Sequence, residues 1–240
     1  MSRKKLKTIG VLGGMGPEAT AYFLGQLVRA TAAAADRDHP PVVVYSLPQI
    51  PDRTEAILRG GPSPAPALLG GLRTLREAGA DFAVLPCVSV HYFLPRIASR
   101  SPLPILSLLE ETLAAVQALK PAPGKVGLLA TTGTVRSGII DRLFEQAGIE
   151  VVVPAAPGQK RVMAAIYGKR GIKAGFTEGR PREVVLEAAR GLVRRGARAV
   201  IAGCTEVPLV LRAGDLTVPL VEPRALGARA AVKRAGARLR

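Results

Sequence analysis

The chain has 240 residues, 48% of them hydrophobic and 4% aromatic, with 34 Lys and Arg against 18 Asp and Glu for a formal net charge of +16. That length and apolar content bury a real core, in one large or two small domains, and no run reaches the ~18 uninterrupted apolar residues of a membrane span. The positive excess could draw nucleic acid or an acidic ligand, but the basic residues are dispersed along helical stretches such as 182–198 without interleaved stacking aromatics, so a solvated surface is expected rather than a nucleic-acid interface.

The basic start Met1-Ser2-Arg3-Lys4-Lys5 runs into a strand pattern with no cleavage signal, and a cytoplasmic location is expected. Apolar runs at 8–12, 42–45, 82–85, 126–129, 150–153 and 199–202 read as strands. Helical spacing covers 18–34, 66–78, 108–119, 136–147 and 181–195, and several of these stretches end at glycine. Strand alternating with helix predicts an α/β fold with largely parallel sheets. After the first strand, Gly14, Gly16 and Ala19 have the formal spacing of a dinucleotide fingerprint. Pro17 removes a backbone donor there, and the second strand leads to Ser46 instead of an acid, which argues against a nucleotide site. Pro51-Asp52-Arg53-Thr54 follows the second strand; Arg53 there either forks onto a carboxylate or sits at a capped helix start. Gly171-Ile172-Lys173-Ala174-Gly175 offers Lys173 either as a carboxylate partner or as a surface lysine.

An internal repeat organises these elements. Ile9-Gly10-Val11-Leu12 corresponds to Val126-Gly127-Leu128-Leu129, and the run ending at Cys87 corresponds to the run ending at Cys204, both at an offset of 117 residues. Two such halves each place a cysteine just past the carboxyl end of a strand, where open α/β sheets hold their sites. Taken alone, the two cysteines could be inert core thiols, a disulfide or reactive groups. Their equivalent places in the repeat favour reactive thiols facing one cleft, and a disulfide, with Cβ atoms ~4 Å apart, would leave no room between them. With His39 and His91 the only histidines and no Cys-x-x-Cys spacing, no metal site is expected. Ser89 and Thr205, close behind the thiols, are expected to cap helices whose N-termini bind a carboxylate and favour the thiolate.

Together these segments resemble the aspartate/glutamate racemase family over essentially the whole chain. Residues 13–20 match its Gly-Gly-Met-Gly-Pro-x-Ala-Thr, 51–54 its Pro-Asp-Arg-Thr, 203–208 its Gly-Cys-Thr-Glu-x-Pro, and 171–175 its glycine-flanked lysine loop. The resemblance implies two pseudo-symmetric three-layer α/β/α domains with the active site in the cleft between them. Residues 1–104 with 216–240 would form the domain of Cys87, and 105–215 that of Cys204. It also implies a cofactor-independent amino-acid racemase without pyridoxal phosphate, usually a homodimer, acting on an acidic amino acid such as aspartate. Cys87 and Cys204 would be proton donor and acceptor, and Arg53 and Lys173 would grip the side-chain carboxylate. Met15, Asp52, Thr54, Val88, Ser89, Val90, Thr131, Thr205 and Glu206 complete the implied binding set. One departure stands out: the family's Cys-Asn-Thr is Cys87-Val88-Ser89 here, so an amide anchor for the α-amino or α-carboxylate group, worth about 1–3 kcal/mol, is missing. This keeps open dicarboxylate isomerisation, hydantoin racemisation and malonate decarboxylation on the same scaffold, or a degenerate ligand-binding protein. His91 matches the aspartate-type branch, and a structural role for it is equally compatible.

Overall fold

The computed structural model describes residues 5–240, so the basic start at 1–4 lies outside it. Its described residues form two four-stranded sheets in which all pairs are parallel. In the first, β1 (Ile9–Gly13) lies between β2 (Val42–Ser46) and β3 (Phe82–Val84), with β4 (Ile105–Leu106) outside β3. In the second, β5 (Lys125–Leu129) lies between β6 (Glu150–Val152) and β7 (Val200–Ala202), with β8 (Leu220–Val221) outside β7. The strand order is the same in both.

The register repeats as well. Gly10 pairs with Ala83 and Gly127 with Val200, each pair displaced by the 117-residue offset. The two glycines are there for one packing reason. A Cβ on Gly10 would lie 2.9 Å from the Ala80 Cβ and 3.2 Å from Leu75, and one on Gly127 would lie 2.9 Å from Leu192 and 3.4 Å from Ala197, which are the repeat equivalents of the same neighbours. β1, β3 and β7 are buried along their whole length, as continuous apolar runs in parallel sheets require.

Helices cover both faces of each sheet. In the first unit, α1 (Pro17–Ala30) lies on one face and α3 (Ala65–Glu77) on the other; in the second, α7 (Ile139–Glu145) opposes α8 (Ala156–Tyr167) and α9 (Arg180–Arg194). The remaining pair crosses over. α5 (Leu108–Gln117) follows β4 but sends Leu109 and Val116 into the second unit's core, while α11 (Pro223–Ala235) follows β8 and packs Ala228, Ala231 and Val232 against Phe23 and Phe82 of the first. β4, just past the division expected at 104/105, pairs in the first sheet, and β8, just past that expected at 215/216, pairs in the second.

Several elements differ from expectation. The helix read over 136–147 is broken at Gly138, whose φ of 62° ends α6 (Thr132–Ser137) before α7 begins. The first helix stops at Ala30, because Thr31 is extended and bridges to Leu239. α8 and α11 were not legible: the first opens on Ala-Pro-Gly, and the second is made of small residues that let it lie close to its neighbours, so that a Cβ on Gly227 would run into the Leu108 side chain. Among the described residues, no helix is long and apolar enough to cross a membrane.

Candidate active site

The carboxyl ends of both sheets face one cleft. After β1 the chain turns at Gly14, where φ is 89° and a Cβ would meet the backbone of Leu47 at 2.4 Å, so only glycine is tolerated there. The Thr20 hydroxyl closes the turn by accepting from Gly14 N at 2.8 Å and donating to Gly16 O at 3.0 Å, which delivers Met15 into the cleft. After β2, Asp52 caps α2 (Arg53–Arg59) by accepting from Glu55 N at 2.9 Å. Arg53 therefore sits on the first helical turn, with Nη1 donating to the carbonyls of Ile50 at 3.1 Å and Pro51 at 2.9 Å.

The inner cleft is narrow, with a volume of about 20 Å³. Both thiols line it, with Met15, Arg53, Val88, Ser89, Thr131, Lys173, Thr205 and Glu206 of the expected set. It opens into a wider groove bordered by Glu18, Pro48 and Asp52, which Arg53, Lys173 and Glu206 also line. Val90 is placed elsewhere: it is fully buried in the first unit's core beside Leu85 and Phe93. Thr54 is buried against the second unit, its Oγ1 3.5 Å from that of Thr131, which itself caps α6 by accepting from Thr134 N. Thr134, Gly203 and Tyr167 line the cleft unforeseen. Tyr167 donates its hydroxyl to Asp52 at 3.2 Å and lies with its ring 5.3 Å from Lys173 Nζ, so the end of α8 reaches across to the first unit. No local pattern marks it, because its position depends on how the two halves dock.

Arg53 is 8% exposed, has no carboxylate within ion-pair reach among the described residues, and leaves its Nε without a hydrogen-bond partner. A buried guanidinium in that state is costly unless an anion completes it, and it is preorganised for a planar carboxylate.

The two thiols, both free and buried, differ in their surroundings. The Cys87 sulfur lies 3.4 Å from the Ser89 hydroxyl. Cys204 donates its thiol proton to Glu206 Oε2 at 2.9 Å, and that oxygen also accepts from the Thr205 hydroxyl at 3.0 Å; Glu206 Oε1 pairs with Lys173 Nζ at 2.8 Å. This corrects the expectation of helix-capping hydroxyls and, at Cys204, of a favoured thiolate. Neither Ser89 nor Thr205 caps a helix, because a 3-10 turn (Ser89–Tyr92) follows the first thiol and only the four-residue α10 (Val207–Val210) follows the second. Burial, and then the Glu206 carboxylate, push the Cys204 thiol well above its ordinary value, with Lys173 opposing them. Burial alone would raise Glu206, but Lys173 and the hydrogen bonds it accepts hold it below the usual carboxylate range. Burial likewise opposes the charge on Lys173, and Glu206 outweighs it, so the lysine is raised. Among the described residues, no group of three or more His, Cys, Asp and Glu side chains could hold a metal ion.

His91 is a strut beneath the first thiol. Its Nε2 accepts from Leu108 N at 3.0 Å, which leaves Nδ1 to donate to the Cys87 carbonyl at 3.0 Å and ties the thiol loop to the start of α5. Burial lowers its pKa from 6.5 to about 4. The unfolded chain therefore binds a proton in that window while the folded one does not. Stability is complete above the unfolded value and is lost as pH falls toward the folded one, by about 3 kcal/mol in all. Urea midpoints should drop between pH 6.5 and 5 more steeply in the native protein than in His91→Gln; equal slopes would show that the ring carries no such burden.

The sequence profile of the Asp/Glu/hydantoin racemase family matches residues 12–231. The broad specificity amino-acid racemase RacX of Bacillus subtilis is 26% identical over 231 residues, 93% of this chain and 96% of that protein. Among solved structures, the Picrophilus torridus aspartate racemase superposes with a TM-score of 0.85 at 29% identity, over 98% of this chain and 96% of that one. The fold is also that of a glutamate racemase from Francisella tularensis, at a TM-score of 0.70 and 16% identity over 96% and 81% of the two chains. With the profile spanning nearly its whole length and two thiols at equivalent strand ends of a duplicated α/β unit, the chain belongs to the Asp/Glu/hydantoin racemase family of isomerases.

Proposed function

We propose that this protein racemises an acidic amino acid, aspartate or glutamate, without a cofactor, by passing protons to and from Cα between Cys87 and Cys204. One observation carries the reading: two buried thiols from repeat-equivalent positions line a narrow cleft that also holds Arg53, a buried guanidinium with no ion-pair partner among the described residues. Racemisation takes a proton from one face of Cα and returns one to the other, so a base and an acid must flank one carbon. The Cα proton is weakly acidic, and the carbanion needs donors aimed at the α-carboxylate. The hydroxyls of Ser89, Thr131 and Thr205 and the backbone N–H groups behind the thiols are the candidates, while Arg53 takes the side-chain carboxylate with Lys173 beside it. The homodimer and cytoplasmic location implied by the resemblance belong to the same proposal.

A second reading, racemisation of amino acids with neutral side chains, is favoured by Val88. It is 2% exposed and packs with Leu109, Val126 and Leu128, so the wall beside Cys87 is apolar where an amide was expected. Incubating the reduced protein with L-aspartate, L-glutamate and a set of neutral L-amino acids in deuterium oxide distinguishes them. Loss of the Cα proton by NMR together with D-enantiomer by chiral chromatography is expected for the acidic pair. Turnover confined to neutral amino acids would replace that substrate assignment, and exchange with none would overturn the racemase reading.

A further inference from the structure

Glu206 belongs to the implied binding set, yet both its oxygens are engaged inside the protein, one by Lys173 and the other by Cys204 and Thr205, and the residue is 4% exposed. Its repeat equivalent, at the same 117-residue offset, is Ser89. The duplication thus presents two thiols on matching strand ends, each followed two residues later by the side chain that meets its sulfur: a neutral hydroxyl at Cys87 and a carboxylate at Cys204. At that position the symmetry around the two sulfurs is broken.

We propose that Glu206 is a positioning residue that gives the thiol pair a fixed polarity, with Cys204 the resting acid and Cys87 the resting base. This rests on the racemase reading. A thiolate at Cys204 would lie beside a carboxylate oxygen, and like charges at that distance disfavour ionisation. Lys173, in the turn after α8, and the buried Arg224, at the start of α11, are the cations that face Glu206 and Cys204; Tyr167, at the end of α8, faces Cys204 as well. Lys173 is hydrogen-bonded to Glu206, so its charge supports the carboxylate more directly than a thiolate. In one turnover the Cys87 thiolate takes the Cα proton and becomes a thiol, and the carbanion takes the proton of Cys204, leaving a thiolate there. Before the same direction runs again, Cys204 must gain a proton from solvent and Cys87 must release one to it. The enantiomer whose Cα proton faces Cys87 is therefore the one that the resting enzyme accepts.

The polarity is read without any substrate by alkylating the native protein with iodoacetamide across a pH series and following each cysteine by peptide mass spectrometry. Cys87 is expected to react at lower pH than Cys204. In Glu206→Gln the Cys204 midpoint should fall by about one pH unit or more, while that of Cys87 stays. Lys173→Met should move the Cys204 midpoint the other way, which keeps the test decisive if Glu206→Gln does not fold. Cys204 reacting first in the native protein, or a Cys204 midpoint indifferent to both substitutions, would overturn the proposal. Because this readout needs no turnover, a failure to find racemisation is distinguishable from a failure of the polarity.

Discussion

Cys87→Ala and Cys204→Ala are each expected to lower racemisation by at least about 10²–10⁴-fold, the contribution of one positioned acid or base. The proposed mechanism needs a group on each face of Cα, and the other described polar side chains of the cleft are engaged or unsuited, Lys173 with Glu206 and Tyr167 with Asp52. Ser89 and Thr205 carry hydroxyls far too weakly acidic, Glu206 is bound to Lys173, and His91 is turned away beneath the Cys87 carbonyl. The loss should be one-sided in its details. Cys204→Ala keeps the thiol that rests as base, so it should still wash the Cα proton of one enantiomer into deuterium oxide. Cys87→Ala keeps only a thiol held protonated by Glu206, and its exchange should be much slower. Each substitution removes a single buried sulfur and keeps the backbone and Cβ, so circular dichroism and melting should change little. Chiral chromatography of product and NMR of residual Cα protons check the pair; undiminished racemisation in either variant would rule out the two-thiol mechanism.

Arg53→Met should separate function from stability. If the guanidinium receives the substrate's side-chain carboxylate, its loss removes charge-assisted hydrogen bonds worth about 1.5–3 kcal/mol, a fall in kcat/KM of about 10–100-fold for an acidic amino acid. The ligand-free protein should not be destabilised in proportion. Native Arg53 is desolvated with an unpartnered Nε and no carboxylate within ion-pair reach among the described residues, and a methionine of similar length removes that penalty while giving up two bonds to the Ile50 and Pro51 carbonyls. Steady-state kinetics with both enantiomers, alongside the Tm without substrate, measures the two effects. A large drop in Tm with kcat/KM intact would make Arg53 a structural strut for the 50–53 turn and leave Lys173 as the carboxylate partner.

Much of the architecture was legible because long apolar runs and helical spacing survive in any context. The 117-residue offset announced the duplication, and the glycines at 10 and 127 repeat because the same two side chains cross each of them. The two-residue strands β4 and β8 were not legible, since two residues carry no alternation, and so the sheets gain their fourth strands across the expected boundaries. Of the expected site residues, those on the motif-bearing turns lie together along the cleft. Val90 lies apart from them, because a residue three beyond a thiol in a 3-10 turn faces the core while its neighbour faces the cleft.

What the amino-acid sequence determined by itself was the repeated strand-and-helix plan, the matched positions of Cys87 and Cys204, the glycine and arginine turns that follow the first two strands, and the glycine-flanked lysine loop. These depend on local periodicity and on residues whose backbone freedom or charge speaks for itself. Tertiary structure alone decided which charges are spent and which remain available. It brought Lys173 to Glu206 across 33 residues and Tyr167 to Asp52 across 115, left Arg53 unpaired, and set a carboxylate against one thiol and a hydroxyl against the other. Ionisation depends on the partners and burial that folding imposes on a group, and neither is carried by its place in the chain.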